Sequence, residues 1–202
     1  MILIGITGIV GSGKTTASAM LKREGLEVID LDRIAKEIIQ QKRVILEIGK
    51  AFGNTYVVGG EIDVKMIGDL VFQNKGALEK LEALVHPLID AEMHSQAKRL
   101  EARGVKTVIV DGPLIFEKGL HKELDKTVVV SGKPETIKAR LKERGMNQGD
   151  AERRMASQIP LGEKEAQADY VVRNNGTIED LEKEVGNLLK QIKEWEVELN
   201  AS

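Results

Sequence analysis

A chain of 202 residues of which 42% are apolar is long enough to bury one substantial core, and a single α/β domain is the default reading. Its 30 Lys plus Arg against 32 Asp plus Glu leave a formal charge of -2, which excludes a global adaptation to nucleic acid or to anionic membranes, so that any anion site must be local. With no cysteine and 3 dispersed histidines, disulfides, thiolate metal centres and cysteine nucleophiles are excluded and a zinc site is disfavoured, in keeping with a reducing cytoplasm.

The first element is an apolar strand, Ile2–Thr7, with neither the basic region nor the cleavage site of a leader. No apolar run approaches the roughly 20 residues that span a bilayer, so no membrane partner is expected. Further β-rich runs fall at residues 26–29, 107–110, 127–130 and 170–172, each separated from the next by helical segments. Parallel strands need crossovers, and the crossovers cover both faces of the sheet. The expected fold class is therefore α/β, a three-layer sandwich around a parallel five-stranded sheet.

Helices are expected at residues 14–23, ending before Gly25, and at 86–103, with Pro87 in the first turn and Gly104 just past the end. A last helix starts at the N-cap Thr177, carries Leu181, Val185, Leu188 and Ile192 on one face, and frays after Trp195. About 75 residues separate the second and third strands, more than a single crossover helix requires, which implies a helical insertion. The expected organisation is one domain over 1–202. Its core comprises 1–40, 104–133 and 168–195, with insertions at about 41–103 and about 134–167.

Gly8-Ile9-Val10-Gly11-Ser12-Gly13-Lys14-Thr15 fits the P-loop pattern G-x-x-x-x-G-K-[ST] at every position, between a strand and a helix. The glycines allow left-handed turns that aim successive backbone N–H groups inward, and the helix N-terminus adds positive potential. Gly11, Ser12 and Gly13 thus form an ATP cradle. Lys14 reaches the β- and γ-phosphates, the Thr15 hydroxyl is placed to ligate Mg²⁺, and Thr16 adds a phosphate hydrogen bond. The motif alone does not name the reaction, because switches, motors and small-molecule kinases share it.

Asp30 and Asp32 lie where the second strand runs into the following helix, at the carboxyl edge of the sheet. Asp30 reads as an N-cap. Asp32, on the residues alone, is either a first-turn carboxylate favoured by the helix dipole or a base for an acceptor hydroxyl. Asp111, closing the third strand, stands where a carboxylate would hold Mg²⁺ through water.

The segment Thr7 to Thr16 together with Val28-Ile29-Asp30-Leu31-Asp32-Arg33-Ile34-Ala35 resembles the dephospho-coenzyme A kinase family. So do Val85-His86-Pro87-Leu88, Pro113-Leu114-Ile115-Phe116-Glu117, the arginine-rich stretch Arg140 to Gln158, and Ala168-Asp169-Tyr170-Val171-Val172-Arg173-Asn174-Asn175-Gly176. The resemblance runs from residue 2 to about 189. It implies ATP-dependent phosphorylation of the ribose 3′-hydroxyl of dephospho-CoA, with Asp32 as base and His86 and Leu114 on the acceptor site. It also makes 41–103 the acceptor-side sub-domain and 134–167 a lid whose Arg140, Arg144 and Arg154 lie over the nucleotide. Leu114, Ile115 and Phe116 would form a wall of the acceptor pocket, and Asn174, Asn175 and Gly176 would approach the adenine. The bare residues explain these last three nearly as well by turn chemistry, and His86 by helix capping.

Val64 stands where the family pattern carries arginine, and Ile9 where it carries glycine. The latter is neutral, because the variable loop positions accept side chains. Another P-loop kinase with a different small acceptor is the runner-up. A guanine-reading switch is opposed by Asn74-Lys75-Gly76-Ala77, which lacks the aspartate of N-K-x-D. A nucleic-acid-binding module is opposed by balanced charge and six aromatics, namely 1 Trp, 2 Tyr and 3 Phe. The expected partners are ATP, Mg²⁺ and dephospho-CoA, in a monomer or small homo-oligomer.

Overall fold

The structure, a computed structural model, describes residues 1–147, 149, 155 and 158–200. The described residues divide into two compact units, 1–29 with 100–202, and 30–99. The boundary falls at Asp30, ahead of the expected start of the insertion near residue 41.

The first unit is built on a five-stranded parallel sheet of order β2-β5-β1-β6-β7. Its strands are β1 (Ile2–Thr7), β2 (Glu27–Asp30), β5 (Thr107–Asp111), β6 (Lys126–Ser131) and β7 (Tyr170–Arg173). β1 occupies the centre, with Ile6 in register with Asp111 on one side and Val128 on the other. It is buried on both faces, so its sequence reads as a continuous apolar run instead of an alternating one. The even residues Ile2, Ile4 and Ile6 join Ile109, Val128, Val130 and Val172 in one core. Helix α1 (Lys14–Arg23) covers that face with Ala17, Met20 and Leu21, and the C-terminal helix covers it with Leu181, Val185, Leu188, Ile192 and Trp195. On the opposite face Gly5 has no room for a side chain: a Cβ there would lie 2.6 Å from Leu124 and 3.1 Å from Ile115. Among the described residues, the interval between β6 and β7 holds α6 (Pro134–Glu143) and α7 (Leu161–Gln167).

The C-terminal helix, α8, spans Ile178–Asn200. Thr177 and Asp180 cap it reciprocally: Asp180 N donates to Thr177 Oγ1 at 3.3 Å, and Thr177 N donates to Asp180 Oδ2 at 3.1 Å. The helix continues past Trp195, which is only 4% exposed, and the ring meets Tyr170 edge-on at 6.5 Å. Trp195 is packed in the core, and the helix extends beyond it where the sequence alone reads a frayed tail.

The second unit holds α2 (Leu31–Ile39), α3 (Lys42–Phe52), a hairpin of β3 (Val57–Val58) and β4 (Glu61–Ile62), α4 (Val64–Gln73) and most of α5 (Lys75–Ala102). Gln40 ties the end of α2 to the hairpin, accepting from Ile62 N and donating to Ile62 O, both at 2.9 Å. The hairpin turns on Gly59-Gly60, with φ of 62° and 88°, a two-residue loop signal that the sequence reading passed over. α5 corrects the sequence reading: it begins at Lys75, not near His86, and Pro87 lies inside it. Asn74 supplies the cap, its Oδ1 accepting from Ala77 N at 3.0 Å. Proline marks a helix start because there it neither forfeits a hydrogen bond nor clashes with a carbonyl four residues back; Pro87 bears both costs in mid-helix, on an exposed residue.

Candidate active site

The phosphate loop leaves the carboxyl end of β1, between strands whose crossovers run in opposite directions, where open α/β sheets place their ligands. Gly11 and Gly13 have φ of 83° and 95°, values that a side chain disfavours. Gly13 is the N-cap of α1, whose first turn contains no acidic residue, so the positive end of the helix is not neutralised. Thr15 is exposed and Thr16 half-buried on this first turn. The Lys14 ammonium is hydrogen-bonded to the Asp111 carboxylate, with both side chains largely buried.

Behind the loop, Asn174 makes a buried connection. Its Nδ2 donates to the Ser12 carbonyl at 2.8 Å, and its own N donates to Ser131 O at 2.7 Å. Arg140, on α6, donates from Nη2 to Asn174 Oδ1 at 2.8 Å and from Nη1 to the Asn174 carbonyl at 3.0 Å. A Cβ on Gly13 would collide with Asn174 Nδ2, so glycine is required there by close approach as well as by φ. Asn175 caps α6 instead, accepting from Lys133 N at 2.7 Å. Arg144 is exposed at the C-terminal end of α6, and Arg153 and Arg154 lie outside the described residues.

Ile9 and Val10 are anchors, not neutral fillers. Ile9 clusters with Ile137 and Leu141 of α6, and Val10, Met146, Met155 and Leu161 pack around them. The loop's variable positions thus dock it on the segment that follows β6.

The turn after β5 begins at Gly112. Leu114 is half-buried, whereas Ile115 and Phe116 are 1% and 5% exposed and belong to the core, so of the expected wall only Leu114 reaches the surface. The Pro113 carbonyl accepts from Thr7 Oγ1 at 3.1 Å and from Lys164 Nζ at 2.8 Å. Lys164, fully buried on α7, also pairs with Glu117 Oε1 at 2.7 Å. Burial pushes its ammonium below the ordinary lysine range and the Lys14 charge adds to this, while the Glu117 hydrogen bond and charge push it back up. Sequence reasoning missed Lys164 because a lone lysine in a short polar helix carries no burial signal.

In the second unit, Asp30 is the N-cap of α2, its Oδ1 accepting from Arg33 N at 3.0 Å. This leaves Asp32 as the exposed carboxylate of the first turn. His86 is half-buried on α5, with Nε2 3.9 Å from Glu82 Oε1.

A glycine-turned phosphate loop on a central parallel strand, with its lysine beside a carboxylate on the next strand, defines the class of P-loop nucleotide-binding proteins. The shikimate kinase of Bacteroides thetaiotaomicron shares the fold alone, with a TM-score of 0.52 at 20% identity over 95% of this chain and 98% of its own. The family model described as Dephospho-CoA kinase matches residues 2–180, and the chain belongs to that family. A dephospho-CoA kinase of Geobacillus kaustophilus is 40% identical over 93% of this chain and 95% of its own. That of Bdellovibrio bacteriovorus is 38% identical over 95% and 96%. Among solved structures, a Thermus thermophilus protein superposes with a TM-score of 0.82 at 36% identity, covering 94% of this chain and 97% of its own. A dephospho-CoA kinase from Campylobacter jejuni does so with 0.71 at 28%, covering 94% and 96%.

Proposed function

We propose that this protein transfers the γ-phosphate of ATP to the ribose 3′-hydroxyl of dephospho-CoA, giving coenzyme A and ADP, the last step of CoA biosynthesis. The observation that carries this reading is the match of the dephospho-CoA kinase family over residues 2–180, on a chain whose phosphate loop is complete.

In this mechanism the backbone N–H groups of Gly11 to Thr16 and the start of α1 bind the triphosphate, and Lys14 exchanges its Asp111 contact for the β- and γ-phosphates. The Thr15 hydroxyl, on the first turn of α1, and the Asp111 carboxylate, at the end of β5, are hard oxygen donors that would suit Mg²⁺, which would supply charge neutralisation for the phosphates. Asp32 orients the 3′-hydroxyl and takes its proton as the bond to phosphorus forms. His86 and Leu114 contact the acceptor. Arg140 and Arg144 add positive charge on the nucleotide, and Asn175 lies toward its base. Asn174 is assigned a supporting position, because its side-chain amide is already committed to Ser12 and Arg140.

The test is an ADP-release assay with ATP and Mg²⁺, offering dephospho-CoA, AMP, shikimate and gluconate separately, with products identified by mass. ADP release dependent on dephospho-CoA, with one phosphate gained at the 3′ position, is expected. Turnover with another acceptor and none with dephospho-CoA would overturn the assignment while leaving the ATP site in place.

A further inference from the structure

Lys164 and Glu117 form a buried ion pair that the proposed chemistry does not use. Lysine is seldom fully buried, because removing its charge from water costs several kcal/mol unless it is well paired. This pair is also a poor device for stability. Glu117 Oε2 is buried and has no hydrogen-bond partner among the described residues, so part of its desolvation cost is left uncompensated. A well-packed apolar pair would stabilise the same site at least as well. The arrangement therefore calls for an explanation in what it holds in place.

It holds the turn after β5. Pro113 O is fixed from two sides, by Thr7 Oγ1 on the last residue of β1 and by Lys164 Nζ on α7. Glu117, closing the same turn, accepts from Lys164 Nζ at 2.7 Å and from Ile159 N at 2.8 Å, just ahead of α7. One ammonium thus grips both ends of the segment 113–117, and that segment is tied to the residue that precedes the phosphate loop. Two positions before Pro113 is Asp111, hydrogen-bonded to Lys14; one position after it is Leu114, half-buried at the surface. Through Pro113 O, Lys164 is linked to Thr7, the residue that leads into the phosphate loop.

We infer that Lys164, with Glu117, is a positioning pair for the phosphoryl acceptor: it fixes the turn bearing Leu114 at a set distance from the phosphate loop, so that the acceptor hydroxyl meets the γ-phosphate in line. Neither residue touches substrate. The inference rests on the proposed reading of the turn as part of the acceptor site.

The test compares wild type, Lys164→Met and the double variant Lys164→Met with Glu117→Leu, in full steady-state kinetics against each substrate, alongside thermal unfolding. Lys164→Met leaves a buried carboxylate unpaired and is expected to lower stability; the double variant removes both charges and is expected to regain most of it. Both variants should lower kcat, and kcat/KM for dephospho-CoA, about tenfold, as expected for loss of orientation, while KM for ATP stays within about twofold. Unchanged kcat and kcat/KM for dephospho-CoA in the stable double variant would overturn the inference, and a rise in KM for ATP alone would overturn it in favour of a role in the phosphate loop. Absence of dephospho-CoA turnover by wild type would fail the functional reading itself, and the positioning role with it.

Discussion

Arg140 grips Asn174 twice, through the side-chain oxygen at 2.8 Å and the main-chain carbonyl at 3.0 Å, while the same asparagine donates to the Ser12 carbonyl inside the phosphate loop. The asparagine therefore couples α6 to the loop. Replacing its amide by a carboxylate keeps the acceptor for Arg140 but sets an oxygen against the Ser12 carbonyl and a negative charge behind the phosphate site. Asn174→Asp is expected to raise KM for ATP on the order of tenfold, with KM for dephospho-CoA little changed. Initial rates with each substrate varied in turn provide the check, and an unaltered KM for ATP would return Asn174 to a purely structural part.

Lys14 is the cation of the phosphate site. Lys14→Met keeps the aliphatic stem and removes the charge that neutralises the transferring phosphoryl group. Transfer should fall by at least about 10²-fold in a protein whose circular dichroism is unchanged. Near-normal turnover would sink the assignment of the loop.

For Asp32 the expected signature is different. Asp32→Asn keeps the shape and removes the base, so kcat should drop on the order of 10²-fold while ATP affinity, measured by titration calorimetry, holds. A loss of less than about threefold would leave Asp32 as a first-turn carboxylate complementing the helix dipole.

Ile9 is 8% exposed and packs on Ile137 and Leu141. Ile9→Ala removes this anchor without touching a phosphate ligand. It should cost about 2 kcal/mol in denaturant unfolding and speed amide exchange in α6. Unchanged exchange there would show that α6 is held elsewhere.

Asp180 provides a pH test. The backbone N–H of Thr177, then its hydroxyl, then Lys183 hold the Asp180 carboxyl below its ordinary value of 3.8. A folded-state pKa lowered in this way gives stability that is present above 3.8 and lost as pH falls through the folded value. The melting-temperature difference between wild type and Asp180→Asn should therefore be constant from pH 7 down to about pH 5 and shrink steadily below about pH 4. A difference that stays flat down to pH 2 would remove the ionised cap from the account.

The sequence by itself determined the elements whose signals are local. The strand Ile2–Thr7 and the helix Lys14–Arg23 have the expected bounds, because a buried apolar run and a P-loop followed by a helix need only neighbours along the chain. The Asp30 cap was legible for the same reason, since an Asx residue bonding the N–H three positions on is a matter of local geometry. Tertiary structure decided the rest. Pro87 lies inside a helix that starts earlier, at the Asn74 cap, and α8 runs to Asn200 with Trp195 buried in the core. Ile9 became an anchor only when α6 was laid over the loop. Asn174 and Lys164 acquired their parts from Ser12, Arg140, Pro113 and Glu117, partners 34 to 162 positions away in the chain. A hydrogen bond between such distant residues leaves no periodicity to read, and burial of a charge is fixed by what the whole fold places around it.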